Sequence, residues 1–226
     1  MTNKHLLSEP ILGGPQPPRF VAVEGPIGVG KTTLAKKLAH SLGYELLLEK
    51  AEENPFLERF YANKAHAALS AQLFFLFQRA QQLSDLRQQD MFEGTYIADF
   101  LFEKDALFAE LTLDPHELEL YRKVYQQVEV DIPRPDLVIY LQAPVNVLQD
   151  RIQRRGINFE QSINDRYLEN VNEAYSQFFL SYNAAPLVII NATEIDFANN
   201  DDEYQKLLAY LLEVRSGRHY FNPTFF

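Results

Sequence analysis

Short apolar runs alternate along this chain with longer segments whose apolar positions recur every three or four residues. Phe20-Val21-Ala22-Val23-Glu24 predicts a first strand, and Lys31–Leu42, with Leu34, Leu38 and Leu42 spaced by four, predicts a helix. Tyr44–Leu48 reads as a second strand that ends at Glu49. From Asn54 to about Gln89 the pattern is helical, with a break near Asn63. Within it, Ala65–Gln89 is apolar on more than one face, as in a helix buried on several sides or used between subunits. Thr95–Ala98 predicts a third strand ending at Asp99, and helical patterns then run to Gln127 with Asp114-Pro115 as an N-cap and first-turn pair. Leu137–Leu141 has the unbroken apolar character of a buried parallel strand. Helices over Val145–Arg155 and Ser162–Tyr182, a strand over Leu187–Ile190 and a helix over Glu203–Val214 complete the pattern.

Strands alternating with helices predict an α/β fold with a five-stranded parallel sheet flanked by helices and joined by right-handed crossovers. One domain is expected over residues 19–215, since neither a repeat nor a second composition regime interrupts it. Residues 1–18, rich in Pro and Gly, read as a flexible leader, and residues 216–226 as an aromatic tail that docks on the body or serves an interface.

Composition narrows the chemistry. The chain has no cysteine, which excludes disulfides, thiolate metal sites and a cysteine nucleophile. Its 21 Lys+Arg against 31 Asp+Glu give a formal charge of −10, the reverse of what a nucleic-acid polymer partner calls for. An anionic ligand is therefore expected to be small and held by local groups. No apolar run approaches the roughly 20 residues that cross a bilayer, and no signal-type stretch opens the chain. A soluble, cytoplasmic protein without a membrane partner is the expectation.

The strongest local signal is Gly25-Pro26-Ile27-Gly28-Val29-Gly30-Lys31-Thr32, followed by Thr33, which fits G-x-x-x-x-G-K-[ST] between a strand and a helix. Glycines let backbone N–H groups curl around phosphate oxygens, and the helix adds its free amides and positive end. Lys31 is expected on the β- and γ-phosphates of ATP and the Thr32 hydroxyl on Mg²⁺. No N-K-x-D base-reading signature of a GTPase accompanies the loop, and 226 residues suit a small-molecule phosphotransferase.

An ordered set of further motifs makes the chain, from Arg19 to about Leu208, resemble the deoxynucleoside kinase family, especially bacterial deoxyadenosine/deoxyguanosine kinases. Glu49 followed by Asn54-Pro55-Phe56-Leu57 is similar to an E-P-x-x-x-N-P-[YF]-L segment, with Lys50 in place of proline. Gln72 and Arg79 match a Q-x₆-R pair, Glu93 and Asp99 the acids of an [ED]-R-S-x-x-x-D segment, and Arg151–Gly156 with Glu160 an arginine-bearing lid.

The resemblance implies a P-loop kinase that moves the ATP γ-phosphate to the 5′-hydroxyl of a deoxynucleoside, a purine by its bacterial subgroup. It makes Glu49 the general base, with Glu52 and Glu53 as the nearest competitors, and puts Lys31, Arg151 and Arg155 on the phosphates. Tyr61 and Glu160 would hold the sugar, and Gln72, Arg79 and Asp99 would read the base. Thr32 and Glu93 would serve Mg²⁺, and the long apolar helices would form a homodimer. Three departures touch this site: the acidic segment reads Glu93-Gly94-Thr95, without its arginine, Phe100 follows Asp99, and Ile157 stands in the lid. Lys50 and Lys104 are the nearest replacement cations. Two alternatives follow: a nucleotide-binding regulator on the same fold, or a kinase for another small acceptor.

Overall fold

A computed structural model describes residues 17–62, 67–88, 94–129, 132–193 and 200–222. Its centre is strand β1 (Phe20–Glu24), buried at every position. Alternation along β1 sends Val21 and Val23 to one face, into one apolar cluster, and Phe20 and Ala22 to the other, into two further clusters. Buried on both faces, the strand needs no polar alternation, which is why the apolar runs were readable as strands.

Helix α1 (Lys31–Leu42) follows β1 and buries Leu34, Ala35 and Leu38. The chain then moves outward to β2 (Glu45–Leu47), and returns through α2 (Leu57–Tyr61) and α3 (Ala68–Gln88) to β3 (Tyr96–Ala98) beside β1. Helices α4 (Lys104–Thr112) and α5 (Pro115–Val128) lead to β4 (Leu137–Gln142) on the opposite side of β1. The remaining elements are α6 (Val145–Arg155), α7 (Asp165–Ser181), β5 (Leu187–Asn191), α8 (Asp201–Glu213) and β6 (Arg218–Phe221). All strands are parallel, in the order β2-β3-β1-β4-β5-β6.

The sheet has six strands, one more than expected. The sixth comes from the aromatic tail: Leu187 pairs with Arg218 and Ile190 with Phe221, which is buried while Tyr220 points to solvent. Helix α5 opens on the expected Asp114 cap, whose side chain accepts from His116 and Glu117 N–H while Glu117 returns the bond. None of the helices among the described residues is long and apolar enough to cross a membrane.

The strand order fixes where a ligand can sit. Leaving β1, the chain turns first to the β2–β3 side and only later to β4, so a crevice opens at the carboxyl end of β1. Three segments meet there: the glycine loop after β1, Glu49 after β2 and Asp99 after β3.

Candidate active site

The glycine loop is shaped by close approach. Gly25 has φ 149° and Gly28 φ 81°. A Cβ at Gly28 would fall 2.8 Å from the Leu148 carbonyl oxygen, and one at Gly25 would run into the Leu141 carbonyl. Helix α1 begins after Gly30 with no side-chain cap and no acidic residue in its first turn, so its amides and positive end are left for an anion. Lys31 Nζ lies back on the carbonyls of Gly25 at 2.7 Å and Pro26 at 3.2 Å. Burial draws its pKa down, against the pull of Glu24. The Thr32 hydroxyl donates to Asp99, which also accepts from the Glu49 N–H at 2.7 Å. A hydroxyl and a carboxylate against a phosphate cradle are hard oxygen donors of the kind Mg²⁺ takes beside a nucleotide.

From this cradle a cleft of about 870 Å³ extends between the ends of β2 and β3, helices α3 and α4, and the lid segment after α6. Glu49 stands in its wall. Arg79 donates Nε and Nη2 to Glu49 Oε1, donates Nη1 to Asp105, and lies over the Phe75 ring at 4.8 Å. Lys104 Nζ approaches Glu49 at 3.1 Å and Glu24 at 3.5 Å. Burial alone would raise the Glu49 pKa; Arg79, Lys104 and Lys31 overcome it and hold the carboxyl well below the usual carboxylate range. At Asp105 burial prevails over Arg79, and the pKa rises to about 6. Glu24 ties the assembly to the sheet, accepting from Gly25 N–H and Leu101 N–H at 2.8 Å and from the Tyr175 hydroxyl at 2.9 Å.

Most residues singled out in the sequence line this cleft. Gln72 and Arg79, two helical turns apart on α3, are both 4% exposed and both face it. Gln72 donates to the Thr112 hydroxyl at 3.2 Å. Tyr61 lies parallel to Phe159, with centroids 6.2 Å apart, and Arg155 pairs with Glu160 at 2.6 Å on the lid side. Glu49, not Glu52 or Glu53, takes the buried cations Arg79 and Lys104; Glu53 pairs with Lys50 at the surface.

Two expectations need correction and one cannot be placed. Arg151 donates to the Val29 carbonyl at 3.0 Å and the Ala192 carbonyl at 2.8 Å, so it braces the back of the phosphate loop and is not part of the cleft wall. Asp99 sits on Thr32 at the phosphate end, and the carboxylates paired with Arg79 are Glu49 and Asp105. Glu93 lies outside the described residues.

The acidic segment therefore fits one step later than expected. Glu93, Asp99 and Asp105 are each six residues apart, so the spacing alone allows two registers. The later one puts the first acid at the end of β3, against Thr32, and the second against Arg79. Position 94 also argues against the earlier one, because a Cβ there would fall 2.5 Å from two ring carbons of the buried Tyr96. Sequence reading missed Asp105 and Glu24, and named Lys104 only as one of two replacement cations. For Asp105 the usable signal was Asp99 itself, since acids that act in a parallel sheet stand at strand ends.

Known proteins resemble this chain over most of its length. The family model "Deoxynucleoside kinase" matches residues 21–214. A deoxyguanosine kinase of Bacillus subtilis is 36% identical over 200 residues, covering 86% of this chain and 97% of that protein. A deoxyadenosine/deoxycytidine kinase of the same organism is 27% identical over 205 residues, covering 86% and 92%. The solved structure of a deoxyadenosine kinase from M. mycoides, with products dCMP and a flexible dCDP bound, superposes with a TM-score of 0.73 at 26% identity, covering 84% of this chain and 99% of that one.

Proposed function

The chain belongs to the deoxynucleoside kinase family and phosphorylates deoxynucleosides, and from that premise we propose that its donor is MgATP, its acceptor the 5′-hydroxyl of a purine deoxynucleoside, and Glu49 its general base. One observation carries the reading: a single cleft is lined by the phosphate loop, Thr32 and Asp99, Glu49, and Arg79, which the buried Asp105 holds from behind. ATP supplies the phosphoryl group, and Mg²⁺ neutralises part of its charge.

The loop amides and Lys31 hold the triphosphate, and Thr32 with Asp99 provides the protein ligands for the metal. At the other end Gln72 and Arg79 present donors and acceptors to the base edge, with Asp105 orienting Arg79 from behind, and Tyr61 and Glu160 flank the sugar. The 5′-oxygen then lies at Glu49, which accepts its proton as that oxygen bonds to the γ-phosphorus and the bond to the β-phosphate oxygen breaks. Arg155 closes over the phosphates from the lid. The purine preference draws support from the B. subtilis deoxyguanosine kinase at 36% identity. We further propose a homodimer, for which the exposed Phe77 on α3 and Leu120 on α5 offer apolar surface, and a cytoplasmic location.

Incubation with MgATP and each of the four deoxynucleosides, with products identified as 5′-monophosphates, tests the reading. It expects deoxyguanosine or deoxyadenosine to give the highest kcat/KM. Equal or better turnover of both pyrimidine nucleosides would overturn the purine assignment.

A further inference from the structure

The segment Asp99–Asp105 contains no arginine, and Phe100, its second residue, is buried in the apolar core. Its one cation is Lys104, the first residue of α4. This lysine is 3% exposed, although the first turn of a surface helix would ordinarily leave such a side chain in water. Its ammonium instead spans two carboxylates, Glu24 at the end of β1 and Glu49 after β2, and it lines the cleft beside Lys31 and Thr32. Lys50, the other candidate cation, is half-exposed and pairs with Glu53 at 3.3 Å.

We propose that Lys104 is a positioning residue for phosphoryl transfer: seated on Glu24, its ammonium aims the Glu49 carboxylate at the 5′-hydroxyl and supplies the charge that no arginine of this segment provides. The inference rests on Glu49 being the base. Glu24 is fixed by three hydrogen bonds from Gly25, Leu101 and Tyr175, so it gives Lys104 a rigid seat. Glu49 is in turn gripped from two sides, by Arg79 on α3 and by Lys104 on α4. When the hydroxyl proton reaches Glu49, that carboxylate loses its charge. The ammonium, still seated on Glu24, is then freed of one of its two carboxylates and can turn its charge toward the transferring phosphoryl group. The charged and titratable groups that act on Glu49 include Lys31, Arg79, Lys104, Asp99, Asp105, Tyr61 and Tyr175.

The test is steady-state kinetics of Lys104→Met and of Lys104→Cys before and after alkylation with 2-bromoethylamine. The chain has no other cysteine, so alkylation rebuilds an ammonium at this position alone. Lys104→Met is expected to lower kcat about 100-fold, a size typical of losing one oriented group at a reacting centre, with the KM for MgATP changed less than about threefold. Alkylated Lys104→Cys should recover at least about a tenth of the wild-type kcat.

A kcat for Lys104→Met within about threefold of wild type overturns the proposal, as does an alkylated protein no faster than the unmodified one. A Lys104→Met chain that is unfolded and no longer binds MgATP would make the lysine purely structural and overturns it too. Wild-type protein that transfers to no deoxynucleoside defeats the reading of Glu49 itself. Wild-type transfer with an unaffected Lys104→Met defeats only the role of Lys104.

Discussion

Replacing Arg79 by Met should cost stability in a way that depends on pH. Arg79 is 4% exposed and serves two carboxylates, Glu49 and the fully buried Asp105. Methionine keeps much of the volume and the stacking on Phe75 but removes the charge. Each contact at about 4 Å is worth roughly 4 kcal/mol at an effective dielectric constant of 20, before desolvation is counted. Breaking a buried pair by removing one partner costs about 3–5 kcal/mol in practice. For a domain of this size each kcal/mol moves the melting temperature by about 2–4 °C, so a fall of roughly 6–20 °C is expected near pH 8.

The sign of the pH dependence follows from proton linkage. Without Arg79 the carboxyls of Glu49 and Asp105 titrate above their unfolded values, so the native variant binds more protons than the unfolded chain. Its stability then rises as pH falls, and the gap to wild type should narrow by pH 5.5. Thermal and urea unfolding at the two pH values, followed by circular dichroism, measures this. A fall of less than about 3 °C at pH 8, or the same fall at both pH values, would refute the buried-pair argument.

Other changes separate the two ends of the cleft. Gly28→Ala places a methyl 2.8 Å from the Leu148 carbonyl oxygen at φ 81° and should raise the KM for ATP while costing about 1–3 kcal/mol of stability, read by urea unfolding. Asp99→Asn should raise the Mg²⁺ concentration for half-maximal rate by about tenfold or more, with the KM for the nucleoside nearly unchanged. Asp105→Asn should do the opposite, leaving the Mg²⁺ dependence intact and reducing discrimination between purine and pyrimidine acceptors by about tenfold or more. Wild-type kcat should show no acid limb from Glu49 down to pH 5, since its carboxyl titrates well below the ordinary carboxylate range; a limb near pH 6 that vanishes in Glu49→Gln would contradict this.

Much of this was legible because the physics is local. The phosphate loop is a contiguous motif between a strand and a helix, and the buried strands are apolar runs. Gln72 and Arg79 fall on one helical face by spacing alone. What escaped depends on registers and distances that sequence does not carry. Strand β6, Arg-His-Tyr-Phe, has one neighbour and alternates in exposure, so it read as a tail. The acid pair has two equal spacings in sequence, and only the position of Asp99 beside Thr32 selects between them. Arg151 sits in a basic cluster that suggested a lid, yet its guanidinium reaches the carbonyls behind the loop. Lys104 stood beside Lys50 as a replacement cation, and only the convergence of Glu24 and Glu49, remote in sequence, selects it and buries it.

The most direct test of the account compares Glu49→Gln with wild type in transfer from labelled ATP to deoxyguanosine, alongside calorimetric MgATP affinity. Glutamine keeps the shape but cannot take the proton, so kcat should fall about 100-fold or more with MgATP affinity unchanged within threefold. Transfer at the wild-type rate by Glu49→Gln would contradict the assignment of the base, and with it the order of groups along the cleft.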